Sequence, residues 1–263
     1  MPLSTLWLKL LLVPLLISGA SLAGRRWGPQ VGGWIVGLPL TSGPVVLFLA
    51  LEQGPAFAAG SAAGAMLGLV SVTGFCVTYA LLAWRAPWFL CMLAGWGVFL
   101  LSTALLTEIV VSLAASFAGV VTVMALALRL LPHASSQRPA AHPPAWDIPL
   151  RIAAATALVL GLTAVAGRLG PRLSGLLTPF PVYVTVLTVF THHLGGGAAA
   201  TQLLRGVIIG SFSFALFFAV VARFLEGQGL LITFGGAVAA TLLSHAVLLW
   251  TLGASTNRAA GAG

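Results

Sequence analysis

Gly28-Pro-Gln-Val-Gly-Gly-Trp-Ile-Val-Gly-Leu-Pro-Leu-Thr-Ser-Gly-Pro44 opens an apolar run that continues to Glu52. The run has membrane-spanning length, yet it carries helix breakers at its centre, and the chain contains it twice. Gly28-Pro29 recurs as Gly170-Pro171, 142 residues further on. The same offset, with no gap, carries Arg26 onto Arg168, Gly33 onto Gly175, Pro39 onto Pro181, Phe48 onto Phe190 and Gly54 onto Gly196. It also carries Gly64 onto Gly206, Gly68 onto Gly210, Ser71 onto Ser213 and Phe75 onto Phe217. Further out, Lys9 falls on Arg151, Gly19 on Gly161, and Leu100-Leu-Ser102 on Leu242-Leu-Ser244. Between Arg26 and Ala80 about fourteen of roughly fifty-five positions are identical, well above what a Gly/Ala/Leu-rich composition gives by accident. The sequence reads as a duplication.

Composition sets the solvent. The 263 residues are 59% hydrophobic and 6% charged, with a mean hydropathy of +1.08, whereas ordinary soluble domains are about 25% charged. In lipid only helices or closed barrels satisfy their own backbone polar groups. The apolar runs are long and do not alternate, so helices are expected. A net charge of +8 would suggest nucleic acid on a soluble protein. Here most arginines sit at segment ends, which points to positive-inside topology and lipid headgroups instead. Cys76 and Cys91 lie within apolar runs without CxxC or His/Cys spacing, so neither a disulfide nor a zinc site is expected.

Residues 1–24 could pass for a signal peptide, with Ser21-Leu-Ala23 as a small-residue cleavage pattern. The element recurs in mid-chain at 148–167, however, so the first copy is expected to be a retained span. The second span is predicted from about Val31 to Leu51 with Pro39 near its middle, and the third over Ala56–Leu82. Gly60, Gly64 and Gly68 form a small-xxx-small face on that third span, a pattern that lets helix backbones approach closely. Residues 88–131 would form a helix roughly 66 Å long, against a hydrocarbon core of about 30 Å. We therefore divide them into two spans with a turn near Thr107-Glu108. The Pro-rich segment 132–147 reads as a cytoplasmic linker.

The expected fold is an all-α integral membrane protein of about nine transmembrane helices. Repeat 1 covers 1–107, a linking helix 108–131, repeat 2 covers 148–252 in four spans, and a tail 253–263 follows. Five helices separate each element from its copy, an odd number, so the two four-helix repeats are expected to be inverted. Counting basic residues at segment ends places the C-terminus in the cytoplasm of a bacterial inner membrane.

Lys9 and the run Ser174-Gly-Leu-Leu-Thr-Pro-Phe-Pro181 resemble the GlpM family of short bacterial membrane proteins. Those look like one copy of this four-span unit, with a basic residue near the N-terminus and a broken second helix. The first copy departs from the pattern, with Gly-Leu-Pro39 in place of Phe-Pro. The resemblance implies a link to exopolysaccharide production and carries no mechanism.

Proline removes a backbone donor and clashes with the carbonyl four residues back. Interrupted segments at corresponding positions of two repeats point to a transport site near the bilayer midplane. The expected substrate-binding residues are therefore Pro39, Thr41, Ser42, Thr178, Pro181, Tyr183 and Thr185. Arg205 joins them as an intramembrane cation that either snorkels to the edge or reads an anionic group. His192, His193 and His245 are candidate gates, each with a packing role as its plainer alternative. No carboxylate sits clearly at membrane depth, and the half-helix N-termini favour an anionic or neutral substrate. Enzyme signatures are missing and no catalytic residue, metal or cofactor is expected. The expected partners are membrane lipids and a small-molecule substrate, with a homodimer left open and no nucleic acid. The leading expectation is a secondary transporter or translocator of an anionic or lipid-like small molecule. The alternative is a non-transporting accessory or assembly protein of an envelope polysaccharide or lipid pathway.

Overall fold

The computed structural model describes residues 3–106, 111–132, 143–161 and 180–244, all of them helices and short connections. The first helix, α1, runs Leu3–Trp27 and ends on Arg25 and Arg26. Gly28 then adopts φ 98°, a conformation open to glycine, and Pro29 starts α2 (Pro29–Val36). Proline at this position costs nothing, because the first helical N–H has no partner to lose. The same device, Gly54 at φ 91° followed by Pro55, separates α3 (Ser42–Gln53) from α4 (Pro55–Leu67). Between α2 and α3 the chain is not helical from 37 to 41, so the break expected at Pro39 is present.

Past Gly68, α5 (Leu69–Leu82) continues α4, and the pair forms a 28-residue apolar rod, Pro55–Leu82. The 88–131 stretch is two helices, α6 (Trp88–Leu106) and α7 (Leu113–Leu130), as bilayer thickness requires. Ser112 begins α7 by accepting a hydrogen bond from the Ala115 N–H at 3.3 Å. Residues 147–161 form α8. The next helix, α9 (Val182–Gln228), is broken at Gly196, which has φ 76° and extended ψ like its counterpart Gly54. Gly229 closes it, and α10 follows over Leu230–Ser244.

Among the described residues four helices are long and apolar enough to cross a membrane: Pro55–Leu82, Trp88–Leu106, Leu113–Leu130 and Val182–Gln228. Large apolar side chains also cover the outside, with Leu231 91% exposed. Such a surface suits lipid rather than water, and the chain is a multi-pass membrane protein.

The centre of the fold is the crossing of α2 on the second half of α9. Gly33 and Gly37 on one helix face Gly206 and Gly210 on the other, two small-xxx-small faces in direct contact. A methyl group at Gly33 would overlap the Leu203 carbonyl, and one at Gly206 the Gln30 carbonyl. One at Gly37 would come within 2.9 Å of the Gly210 Cα. Further along, Gly43 packs on the Phe217 ring at 3.2 Å from where its Cβ would be. The contacts advance together, 33 on 203, 37 on 210, 43 on 217. Thus α2, the break and the start of α3 run alongside α9 in one direction and do not turn back. By contrast, no described atom lies within 4 Å of where a Cβ would be at Gly60 or Gly64, the face expected to pack.

The two glycine turns lie at opposite ends of the α4–α5 rod. Gly54 begins the rod. Gly197, just past the second turn, packs so closely on the Ala83 carbonyl at its far end that a side chain would overlap it. The rod's 28 residues span about 42 Å at 1.5 Å each.

Candidate functional site at the paired helix breaks

The first break has short helices on both sides. Its eight-residue α2 rises about 12 Å and its twelve-residue α3 about 18 Å. Together they match a hydrocarbon core of about 30 Å, so the break falls well inside it. Some of the freed backbone is re-paired locally. The Gly37 N–H donates to Gly33 O, Leu38 N–H to Ile35 O, and Gly43 N–H to Pro39 O at 2.9–3.2 Å. Pro39 itself is buried.

At the second expected break, whose preceding half lies outside the described residues, Pro181 precedes α9, and the Thr185 N–H donates to its carbonyl at 2.9 Å. Thr41 and Tyr183 line the same cavity, closed down to about 10 Å³ and walled by Leu16, Ile17, Val36 and Leu38. Those two residues are themselves 142 apart, the offset at which the sequence pattern recurs. Ser42 begins α3 beside this cavity's rim and is half-buried. Thr178 and His245 lie outside the described residues.

Beyond Tyr183 a polar stripe follows α9 on one buried face. The Trp96 indole N–H of α6 donates to Thr185 Oγ1 at 3.1 Å. One turn on, Thr188 is fully buried and its hydroxyl has no partner. Another turn on, His192 Nδ1 and the Tyr79 hydroxyl of α5 are 3.2 Å apart, with the rings edge-on at 5.7 Å. His193 is exposed. The spacing 185, 188, 192 puts all three on one helix face, and tertiary partners that no local pattern announces, Tyr79 and Trp96, complete it. Phe180 packs edge-on against Trp96 and Phe99 at 5.1 and 5.5 Å, walling the stripe at its start.

Arg205 sits elsewhere. Its guanidinium donates to the Leu128 and Leu131 carbonyls at 3.0 and 3.1 Å. These are orphan carbonyls at the C-terminus of α7, where a cation also meets the negative end of the helix dipole.

An ion cluster outside the sequence expectations ties α1 to α8. Asp147, expected in the linker beyond the spans, is 0% exposed. It accepts from Arg25 and from Arg151, each at 2.8 Å, one on each carboxylate oxygen. Arg151 also lies over the Phe190 ring at 5.3 Å. The i,i+4 spacing of Asp147 and Arg151 was the available signal. Deeper polar pairs join neighbouring helices: Thr103 donates to Ser71 at 2.8 Å, and Ser213 and Ser244 are 3.0 Å apart.

Among the described residues no three His, Cys, Asp or Glu side chains gather at one point. What the arrangement offers is one small, mainly apolar cavity shared by Thr41 and Tyr183, and a stripe of hydrogen-bonding groups further along α9. No protein-family model, curated protein or solved structure matches this chain.

Proposed function

We propose that this protein is a secondary transporter or translocator of an anionic or lipid-like small molecule. In this reading two inverted four-helix repeats rock about the paired breaks, in a bacterial inner membrane with the C-terminus in the cytoplasm. The observation that carries it is the meeting of Thr41 with Tyr183 at one point, around a cavity closed down to about 10 Å³. Equivalent residues of two copies meet at the axis relating them, and in inverted-repeat transporters that is where substrate sits.

Two contacts support the inversion, and a third supports the likeness of the copies. The Gly54 and Gly196 turns, equivalent by the offset, lie at opposite ends of the α4–α5 rod. Arg25 at the end of α1 pairs with Asp147 at the start of its copy, as antiparallel copies require. Ser71 meets α6 at Thr103, and its counterpart Ser213 meets α10 at Ser244, so each copy joins the same two elements. Within this scheme the Tyr79–His192 pair closes one end of the stripe and is the candidate gate.

The second reading, an accessory or assembly protein, draws on the close α2–α9 crossing, which fills the interface between the copies. One experiment separates the two. With the buried Cys76 and Cys91 replaced, single cysteines at Thr41 and at Tyr183 are exposed to an impermeant maleimide on each side of the membrane. Alternating access predicts that both positions react, from one side or both. Protection of both positions from both sides would sink transport and leave the accessory reading.

A further inference from the structure

An open groove of about 600 Å³ runs along α1, floored by Leu12, Leu16 and Gly19, with Ile35 of α2 forming its opposite wall. Leu22 borders it, and Arg26 and Trp27 stand at one end. Among the described residues the groove is apolar along its length, and Arg26 at that end is its cation. Arg26 is exposed, and Asp147 is saturated, one oxygen by Arg25 and the other by Arg151. Among the described residues no carboxylate borders the groove, so its cation is left for an outside anion. Trp27, 68% exposed, adds an amphipathic ring of the kind that settles at headgroup level.

We propose that this groove binds one anionic phospholipid of the bilayer, its acyl chain along α1 and its phosphate on Arg26. The length agrees. From Leu12 to Leu22 the helix rises about 15 Å, the depth of one leaflet, half of a hydrocarbon core about 30 Å thick. At Gly19 nothing lies within 4 Å of where a side chain would start, so the floor has room for a chain. The groove ends at Leu40, next to the Thr41–Tyr183 cavity, and the two share Leu16, Ile35 and Leu40. A lipid held here therefore lies against the first helix break. Binding does not require transport, so the proposal stands apart from the reading above.

The test is native mass spectrometry of the full chain in detergent, titrated with phosphatidylglycerol or phosphatidylcholine of the same acyl chains. Wild type should retain one phosphatidylglycerol in preference to phosphatidylcholine. Arg26→Gln should lower that preference about fivefold, the worth of one cation at an anionic surface. Arg85→Gln, an exposed arginine outside the groove, should leave it unchanged. Gly19→Leu should weaken both lipids by filling the floor. Leu22→Trp, on a side chain already 55% exposed, should do the same from the rim, so the result does not hang on one variant folding. The proposal is overturned if both filling variants, with wild-type melting temperatures, bind both lipids as wild type does. It is also overturned if Arg26→Gln and Arg85→Gln lower the preference equally, which would mean diffuse surface charge.

Discussion

Asp147 ties two helices together through one side chain. It is fully buried and holds two arginines, one from the end of α1 and one from the first turn of α8. Removing one partner of a buried ion cluster leaves uncompensated charge, whereas replacing the whole cluster by apolar groups is often neutral. Asp147→Asn should therefore lower stability by about 3 kcal/mol, at the low end because Arg25 keeps 32% of its side chain exposed. The triple change Arg25→Met, Asp147→Leu, Arg151→Met should recover most of that loss. Thermal unfolding in detergent reads both, and a triple variant no better than the single one would refute the account of the cluster. The sequence hid this site because Arg25 and Asp147 are 122 residues apart, and Asp147 stands in a stretch whose prolines read as linker. Thr41 and Tyr183 were legible for the opposite reason. Each flanks a proline that breaks an apolar run, and the offset made the two one position seen twice.

At the scale of elements, bilayer physics and backbone chemistry made most boundaries readable. A 44-residue apolar run cannot cross a membrane of about 30 Å as one helix, and residues 88–131 divide accordingly. Gly-Pro pairs mark the starts of α2 and α4 because glycine reaches φ near +90° and proline tolerates the first helical position. Which glycine face packs was not legible. Gly60-x3-Gly64 and Gly33-x3-Gly37 carry the same local signal, and only the tertiary arrangement brings the second onto α9. The consequence is testable. Gly33→Ala and Gly206→Ala put a methyl group against backbone carbonyls that cannot rotate away, and each should cost about 1–3 kcal/mol. Gly119→Ala, with open space around it, should change stability by no more than about 0.5 kcal/mol. Equal melting temperatures for Gly33→Ala and Gly119→Ala would mean that α2 and α9 do not cross at these glycines.

For the whole molecule, the 142-residue recurrence is visible to anyone who aligns the chain with itself, and the membrane class and the break at Pro39 follow from composition and from proline chemistry. The relation between the copies does not, because orientation depends on how many helices lie between them. The contacts bear on the proposed relation: α2 and the second half of α9 run side by side in one direction. That parallel course is what the proposed inversion requires of an element and the neighbour of its repeat partner. The direct measurement is labelling at two equivalent, exposed positions beside the two turns, Glu52 and Leu194. Single cysteines there, in a background without Cys76 and Cys91, are treated with an impermeant maleimide outside intact cells. Inverted repeats with a cytoplasmic C-terminus predict labelling at position 52 and none at 194. Labelling at both, or at neither while both react after lysis, would place the two turns on one side of the membrane and contradict the inversion.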